Sequence, residues 1–152
     1  MKLKNINMLN LKKLKSILLI DDDEATNFYN QLIIKEANIT DTIYITLNGK
    51  EALNFLTSKG QYGSNNDTYP APSLILLDIN MPVMNGWSFI EEYKRLDDTQ
   101  KAEIIVVILT TSLNPDDIFR AENYKEIKEF MNKPLTVDIL MEIFEKHFKD
   151  KL

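Results

Sequence analysis

Short runs of apolar residues alternate along the chain with longer segments in which apolar residues recur at helical spacing. The runs at 16–20, 73–77 and 103–109 are almost continuously apolar. Such runs are typical of strands that are buried on both faces of a parallel sheet. The segments at 42–46, rich in β-branched residues, and at 126–131 complete a set of five predicted strands.

Five helices are predicted between and after these strands. In the first of them, Ala25, Phe28, Leu32 and Ile33 recur at helical spacing, with polar residues close by. The predicted helices are 24–37, 50–58, 87–96, one that starts with Asn114 as cap and Pro115 as first residue, and one capped by Thr136. Each helix follows one strand, so the two kinds of element alternate along the chain.

This alternation predicts an α/β fold, a doubly wound parallel sheet with helices on both faces. No internal repeat or second domain interrupts it. We therefore predict one domain at 16–150, preceded by a basic tail at 1–15. The chain ends shortly after the fifth predicted helix, and no effector domain is expected.

Composition excludes several classes of protein. The 152 residues are 44% hydrophobic and 27% charged, as in an ordinary globular domain. There are no cysteines, which excludes a disulfide scaffold and thiolate metal sites. No apolar run approaches the roughly 20 residues that span a bilayer, and the start lacks the apolar stretch of a signal peptide. We expect a cytoplasmic protein that does not enter the membrane.

The charge is unevenly distributed. Residues 1–15 hold five lysines and no acid, so with a total of −5 the remainder carries −10. An acidic body argues against nucleic acid as a ligand, because binding the phosphate backbone needs a basic surface. The tail is interpreted as a solvated leader.

The segment at 59–72 interrupts the alternation of predicted strands and helices. It is rich in glycine, asparagine and proline, which is typical of a loop. Loops of this length are either functional or spacers. A contact surface for a partner and a plain spacer both remain open for this connector.

Polar and charged residues follow four of the predicted strands directly. Asp21–Asp23 follow the first strand, Asp78 the third and Thr110–Ser112 the fourth, and Lys133–Pro134 come after the fifth. In open parallel α/β sheets, ligands bind beyond the carboxyl ends of the strands. We therefore expect these acids, hydroxyls and the amine to meet at one edge of the sheet.

Each group has a use at such an edge. Clustered carboxylates repel one another, and a hard cation such as Mg²⁺ relieves that repulsion. A carboxylate on a rigid strand end can attack phosphorus and hold the phosphoryl group as an acyl phosphate. A lysine and a threonine hydroxyl can bind the phosphoryl oxygens. Each residue alone also fits a simpler role, as a cap, a turn or a surface side chain. The prediction therefore depends on all of them following strands at the same edge of the sheet.

Four segments together resemble the receiver domains of two-component response regulators, over about residues 16–150 and in the order of that family. The segments are Ile17-Leu-Leu-Ile-Asp21-Asp22-Asp23-Glu24, Leu74-Ile-Leu-Leu-Asp78-Ile-Asn80-Met81-Pro82-Val-Met-Asn-Gly86-Trp87, Val106-Val-Ile-Leu-Thr110-Thr111-Ser112 and Phe130-Met-Asn-Lys133-Pro134-Leu135. The resemblance implies a flavodoxin-like sheet of strand order 2-1-3-4-5. It also implies a single-domain regulator that is not an enzyme beyond its own phosphorylation and dephosphorylation.

The resemblance implies a role for each matching residue at the reacting centre. Asp78 would accept the phosphoryl group, and Lys133 would pair with it. Asp22 would bind Mg²⁺, or Mn²⁺ in its place, directly, and Asp21 mainly through water. Asp78 and the backbone carbonyl of Asn80 would complete the protein ligands of the metal.

Other matching residues would act in switching and in shaping the site. Thr110 would be the switching hydroxyl, and Phe130, where tyrosine is often found, the aromatic that moves with it. Lys133–Pro134 would be a cis bond. Pro82 and Gly86 would shape the loop after Asp78, with Gly86 serving a backbone angle that side chains resist.

The implied partners are a histidine kinase or a histidine phosphotransfer protein as donor, and a downstream protein that binds the face of helix four, strand five and helix five. A homodimer through that face remains open.

Asn80 and Ser112 are expected to flank the water that hydrolyses the acyl phosphate. Two alternatives also remain: a receiver-fold binding module that is never phosphorylated, and a phosphatase of the haloacid-dehalogenase type, whose nucleophile would lie on the first strand.

Overall fold

The computed structural model describes residues 12–58, 71–101, 103–111 and 114–151. The strands are β1 Ile17–Ile20, β2 Ile43–Thr46, β3 Leu74–Leu77, β4 Ile105–Thr110 and β5 Ile127–Asn132. They form one parallel sheet in the order β2-β1-β3-β4-β5. The expected doubly wound fold and its strand order are confirmed.

Within the described residues, five helices of eight residues or more connect or follow the strands. They are α1 Glu24–Ala37, α2 Gly49–Thr57, α3 Gly86–Tyr93, α4 Pro115–Glu122 and α5 Val137–His147. The predicted caps are confirmed, since the Asn114 side chain accepts from the Asp116 amide and the Thr136 side chain from the Ile139 amide. Each cap satisfies an amide that has no partner inside its helix.

Two hydrophobic layers cover the sheet, because alternate residues of a strand point to opposite faces. The first layer joins β1 to α1 and α5 and includes Ile17, Leu19, Ile34, Leu140 and Phe144. The second joins β1 to α2, α3 and α4 and includes Leu18, Ile20, Phe55, Phe89 and Ala121. A fully buried Leu, Ile or Phe contributes roughly 1.5–3 kcal/mol. Burial on both faces makes the central strands rigid supports for the residues that follow them.

Some element bounds differ from the predictions. The third helix ends at Tyr93, not Leu96, and a separate helical turn follows at Asp98–Lys101. The fourth strand starts at Ile105, because Glu103 adopts a left-handed turn conformation with φ 67° that a strand cannot contain. The predicted burial of the fourth strand is confirmed from Val106 onward.

Helix α1 buries polar residues and exposes apolar ones. Phe28 is 64% exposed and Leu32 50% exposed, although both belong to the apolar pattern that predicts the helix. The inner face instead carries Asn27 and Asn30, each 3% exposed, followed by Ile34. The first turns of α1 lie beside the acidic end of β1, where the surroundings are polar, and only its later turns reach the hydrophobic layer.

Three predictions concern residues outside the described ranges. These residues are 1–11 of the basic tail, 59–70 of the connector, and Ser112. Within the described ranges, no helix combines the length and the apolar character needed to cross a bilayer.

Candidate functional site

Three aspartates meet at the carboxyl edge of the sheet. Ile20 of β1 and Leu77 of β3 are paired in register, so Asp21 and Asp78 follow side by side. The Asp78 amide donates to the Ile20 carbonyl at 2.9 Å, which fixes the two strand ends together. Carboxylate oxygens of Asp21, Asp22 and Asp78, here called the acid cluster, all lie within 4.8 Å of one another. Asp21 and Asp78 are buried, whereas Asp22 is exposed.

The acid cluster has the electrostatic character of a cation site. Burial, followed by repulsion from Asp21, raises the pKa of the Asp78 carboxyl from its usual 3.8 to about 6, while Lys133 opposes this rise. A divalent cation would remove the repulsion, and Mg²⁺ and similar hard ions prefer carboxylate and carbonyl oxygens. Two buried carboxylates and one exposed carboxylate leave the solvent side open for waters and for a substrate oxygen. The residues present therefore fit a divalent cation.

Lys133 brings a positive charge to the same place from the end of β5. Its Nζ lies 2.7 Å from Asp21 Oδ2 and 3.5 Å from Asp78 Oδ1. Burial disfavours the ammonium, but the hydrogen bonds and negative charges of Asp21 and Asp78 together outweigh it, so the pKa of Lys133 is raised. The Lys133 amide also donates to the Thr110 carbonyl at 2.7 Å, which positions its backbone against β4. The expected cis bond to Pro134 is present.

Thr110 and Phe130 lie on the two strands that lead into the site. Thr110 is the last residue of β4 and is 2% exposed. Phe130 lies opposite Ile108 in the neighbouring strand β5 and packs, partly buried, against the layer under α2, α3 and α4. The fold therefore brings both residues to the same side of the sheet edge, and their movement stays a prediction.

The loop from Asp78 to α3 is held close to the strand end. Asn80 is exposed two residues beyond Asp78, and Pro82 follows at the surface. The Gly86 amide turns back to donate to the Ile79 carbonyl at 2.8 Å. The Asn85 side chain caps α3 by accepting from the Ser88 amide. This return holds the start of α3 against the segment that directly follows Asp78.

The expected reason for Gly86 is wrong. Gly86 is the first residue of α3 and does not require a left-handed backbone angle. A Cβ at this position would lie 2.6 Å from the Asp78 carbonyl oxygen and 2.9 Å from the Ile79 Cα. Glycine is needed because the start of α3 approaches the backbone of the phosphoacceptor candidate too closely for any side chain.

Gly86→Ala is accordingly expected to lower the free energy of unfolding by about 1–3 kcal/mol, the usual effect of overpacking, and to displace Asp78. Urea denaturation measures the first effect. Ser88→Ala, an exposed change in the same helix, is the matched control. Equal stability of Gly86→Ala and wild type would contradict the steric explanation.

An open groove of about 400 Å³ adjoins Lys133. Its walls come from α1 and from the segment after β5, and they include Thr26, Tyr29, Asn30, Pro134 and Leu135. The Tyr29 hydroxyl donates to the Leu135 carbonyl at 2.9 Å and joins the two walls. Phe28 and Leu32 of the same helix are exposed apolar residues outside the groove lining.

Sequence reasoning missed Asn27 of α1, whose side chain donates to the Asp21 carbonyl. Asn27 and Asn30 are polar residues of a helix and resemble a solvated face in the sequence. The sequence carries no signal for this arrangement, because the apolar pattern that predicts α1 includes Phe28 and Leu32, which the structure exposes. A pattern read without tertiary context assigns these sides the other way round.

Comparisons with known proteins agree with this geometry. The family model described as "Response regulator receiver domain" matches residues 17–145. The response regulator Rcp1 of Synechocystis is 38% identical over 104 residues, which cover 68% of this chain and 67% of Rcp1. A solved structure of the Mn²⁺-bound form of Rcp1 aligns with a TM-score of 0.70 at 30% identity and covers 91% of this chain and 96% of that one.

Two further solved structures are similar over most of both chains. A two-component response regulator from Cytophaga hutchinsonii aligns with a TM-score of 0.77 at 35% identity, covering 91% of this chain and 99% of that one. The phosphorylated cyanobacterial phytochrome response regulator RcpA aligns with a TM-score of 0.71 at 29% identity, covering 91% and 96%. The sheet order, the acid cluster and these matches lead to the same conclusion: the chain belongs to the response regulator receiver domain family of two-component signalling.

Proposed function

We propose that Asp78 accepts a phosphoryl group from a phosphohistidine of a kinase or phosphotransfer protein in the cytoplasm. The observation that carries this proposal is the contact of Lys133 with both Asp21 and Asp78 at the end of two buried strands. An Asp78 carboxylate oxygen would attack phosphorus in line as the bond to the histidine nitrogen breaks, and the imidazole that leaves would take up a proton from solvent. Lys133 would balance the charge on a phosphoryl oxygen.

The acid cluster would hold Mg²⁺, or Mn²⁺ in its place. Asp22, Asp78 and the Asn80 carbonyl would bind it directly, and Asp21 mainly through water. When bound, the cation neutralises phosphoryl oxygens and the excess negative charge of the cluster. The raised pKa of Asp78 supports this assignment, because a buried carboxylate that is held among like charges gains from a cation.

Phosphorylation would switch a protein-binding surface. Thr110 would move toward the new phosphoryl oxygens, and Phe130 would fill the space that it leaves. The face formed by α4, β5 and α5 would then change, for a downstream protein or a second copy of the chain. A phosphoryl group needs to favour the active arrangement by only a few kcal/mol to shift the population.

The exposed apolar residues of α1, Phe28 and Leu32, would receive the phosphodonor protein, because they lie on the helix that forms one wall of the groove beside Lys133. Phe28→Ser is expected to slow transfer from a phosphorylated histidine donor about tenfold, as loss of an apolar anchor typically does. The rate with acetyl phosphate, which needs no docking, should not change. Phe119→Ser, which alters a residue of α4 that is 68% exposed, is the control. Equal slowing with both donors would exclude a docking role.

The direct test is to mix wild type with acetyl phosphate and either Mg²⁺ or EDTA, and to measure the acid-stable, base-labile phosphoryl content. We expect one phosphoryl group per chain with Mg²⁺ and none with EDTA. Absence of modification in Mg²⁺ would favour the binding module that is never phosphorylated. Continuous hydrolysis of a generic phosphate ester would favour the phosphatase alternative, whose nucleophile would lie on the first strand.

A further inference from the structure

Asn27 is an unusual residue for the inner side of a helix. It lies in the first turns of α1 and is 3% exposed, directly beneath the end of β1. Burying an amide removes its hydrogen bonds to water, which is unfavourable unless the protein replaces all of them. An apolar residue would suit this position better if packing alone determined the choice.

The amide nitrogen of Asn27 holds the backbone of Asp21. Its Nδ2 donates to the Asp21 carbonyl oxygen at 2.8 Å. Two further contacts hold the side chain of the same aspartate: Oδ1 accepts from the Asp23 amide at 2.9 Å, and Oδ2 accepts from Lys133 Nζ at 2.7 Å. Asp21 is therefore fixed at its main chain by Asn27 and at both carboxylate oxygens by other groups.

The amide oxygen of Asn27 is not satisfied in the same way. This Oδ1 is fully buried and accepts no hydrogen bond from any described part of the chain. Buried polar atoms of this kind are rare, and each destabilises the folded state. The hydrogen bond from the Asn27 nitrogen thus stabilises the folded state, and the buried oxygen without a partner destabilises it.

We propose that Asn27 is a positioning residue that orients Asp21 for the cation of the acid cluster. This inference rests on the proposed function. The amide oxygen of Asn27 is buried without a partner, yet the hydrogen bond that its side chain makes among the described residues ends on an aspartate of the site. Outer partners of metal-binding carboxylates set ligand orientation, and their loss typically lowers metal affinity 10–100-fold.

The test is a calorimetric titration of the purified full chain with Mg²⁺, paired with urea denaturation in EDTA. Asn27→Ala is expected to raise the Kd for Mg²⁺ at least about tenfold. Asn30→Ala is the matched control, because Asn30 is equally buried, 3% exposed, in the same helix. We expect the control to leave the Kd within about twofold of wild type. The acetyl phosphate reaction of Asn27→Ala should return to the wild-type rate at saturating Mg²⁺, because only metal affinity is affected.

Each outcome decides the matter. Unchanged Mg²⁺ affinity in Asn27→Ala, or equal weakening in both variants, would overturn the positioning role. Loss of stability alone would assign Asn27 to the fold. Should Asn27→Ala not fold, Asn27→Ser provides the same comparison and is subject to the same criteria. Wild type that binds no Mg²⁺ would instead refute the proposed function itself, and this inference with it.

Discussion

Asp78→Asn is expected to abolish phosphorylation and, in the same sample, to stabilise the fold at neutral pH. The buried carboxylate has its pKa raised from 3.8 to about 6 by burial and by Asp21. Each pKa unit corresponds to about 1.36 kcal/mol, so the ionised group destabilises the metal-free protein by up to about 3 kcal/mol. The neutral amide of asparagine avoids this penalty but cannot form an acyl phosphate.

The effect has a defined pH window. Because the folded pKa lies above the usual value, the penalty is fully present above about pH 6 and disappears as the pH falls toward 3.8. Urea denaturation in EDTA at pH 7.0 should therefore show the variant to be more stable than wild type, with a smaller difference at about pH 4.5. Mg²⁺ should stabilise wild type much more than the variant. Asp97→Asn, which alters an exposed acid, is the control. A less stable variant at pH 7 would contradict the electrostatic account.

Lys133→Ala is expected to slow phosphorylation by acetyl phosphate by roughly 100–1000-fold at saturating Mg²⁺. Removal of one preformed charge partner of a transition-state oxygen typically has an effect of this size. Lys133 is also the group that opposes the raised pKa of Asp78, so its loss leaves the two buried acids without their partner.

The rate of phosphoryl transfer at a series of Mg²⁺ concentrations measures this effect. Lys133→Arg is the informative comparison, since it keeps the charge but replaces a compact ammonium with a planar fork. We expect Lys133→Arg to retain part of the activity and Lys133→Ala almost none. A rate for Lys133→Ala within about threefold of wild type would show that Lys133 serves Asp21 structurally and does not act on the phosphoryl group.

Much of the fold follows from local patterns in the sequence. The apolar run Ile17–Ile20 is continuous because both faces of β1 are buried, and the burial is what makes it recognisable. Asn114 and Thr136 mark helix starts through hydrogen bonds that involve only neighbouring residues. Features of this kind need no knowledge of distant contacts.

Other features depend on distant contacts and were not predictable. Gly86 is required by the approach of α3 to the Asp78 carbonyl, which only the folded chain shows. The inner side of α1 carries Asn27 because that part of the helix faces the polar end of β1. Local periodicity assigned Phe28 and Leu32 to an apolar face, but the structure places them at the surface.

The sequence predicts which residues meet at the candidate site, because they follow the strand ends. It does not predict the contacts that these residues make with one another. Parallel strands bring their carboxyl ends to one edge, so the meeting of Asp21, Asp22, Asp78 and Lys133 follows from topology, and the structure places them together. The sequence does not show that Lys133 lies closer to Asp21 than to Asp78. The phosphoacceptor, metal and switching roles stay predictions.

Asp78, and no other acid of the cluster, is expected to form the acyl phosphate. Borohydride reduces an acyl phosphate of aspartate to homoserine, which marks the modified position permanently. Wild type would be phosphorylated with acetyl phosphate and Mg²⁺, reduced, digested and sequenced by mass spectrometry. If Asp78 is the phosphoacceptor, homoserine is expected at position 78 alone. Homoserine at position 21 or 22, or at none of the three positions, would contradict it.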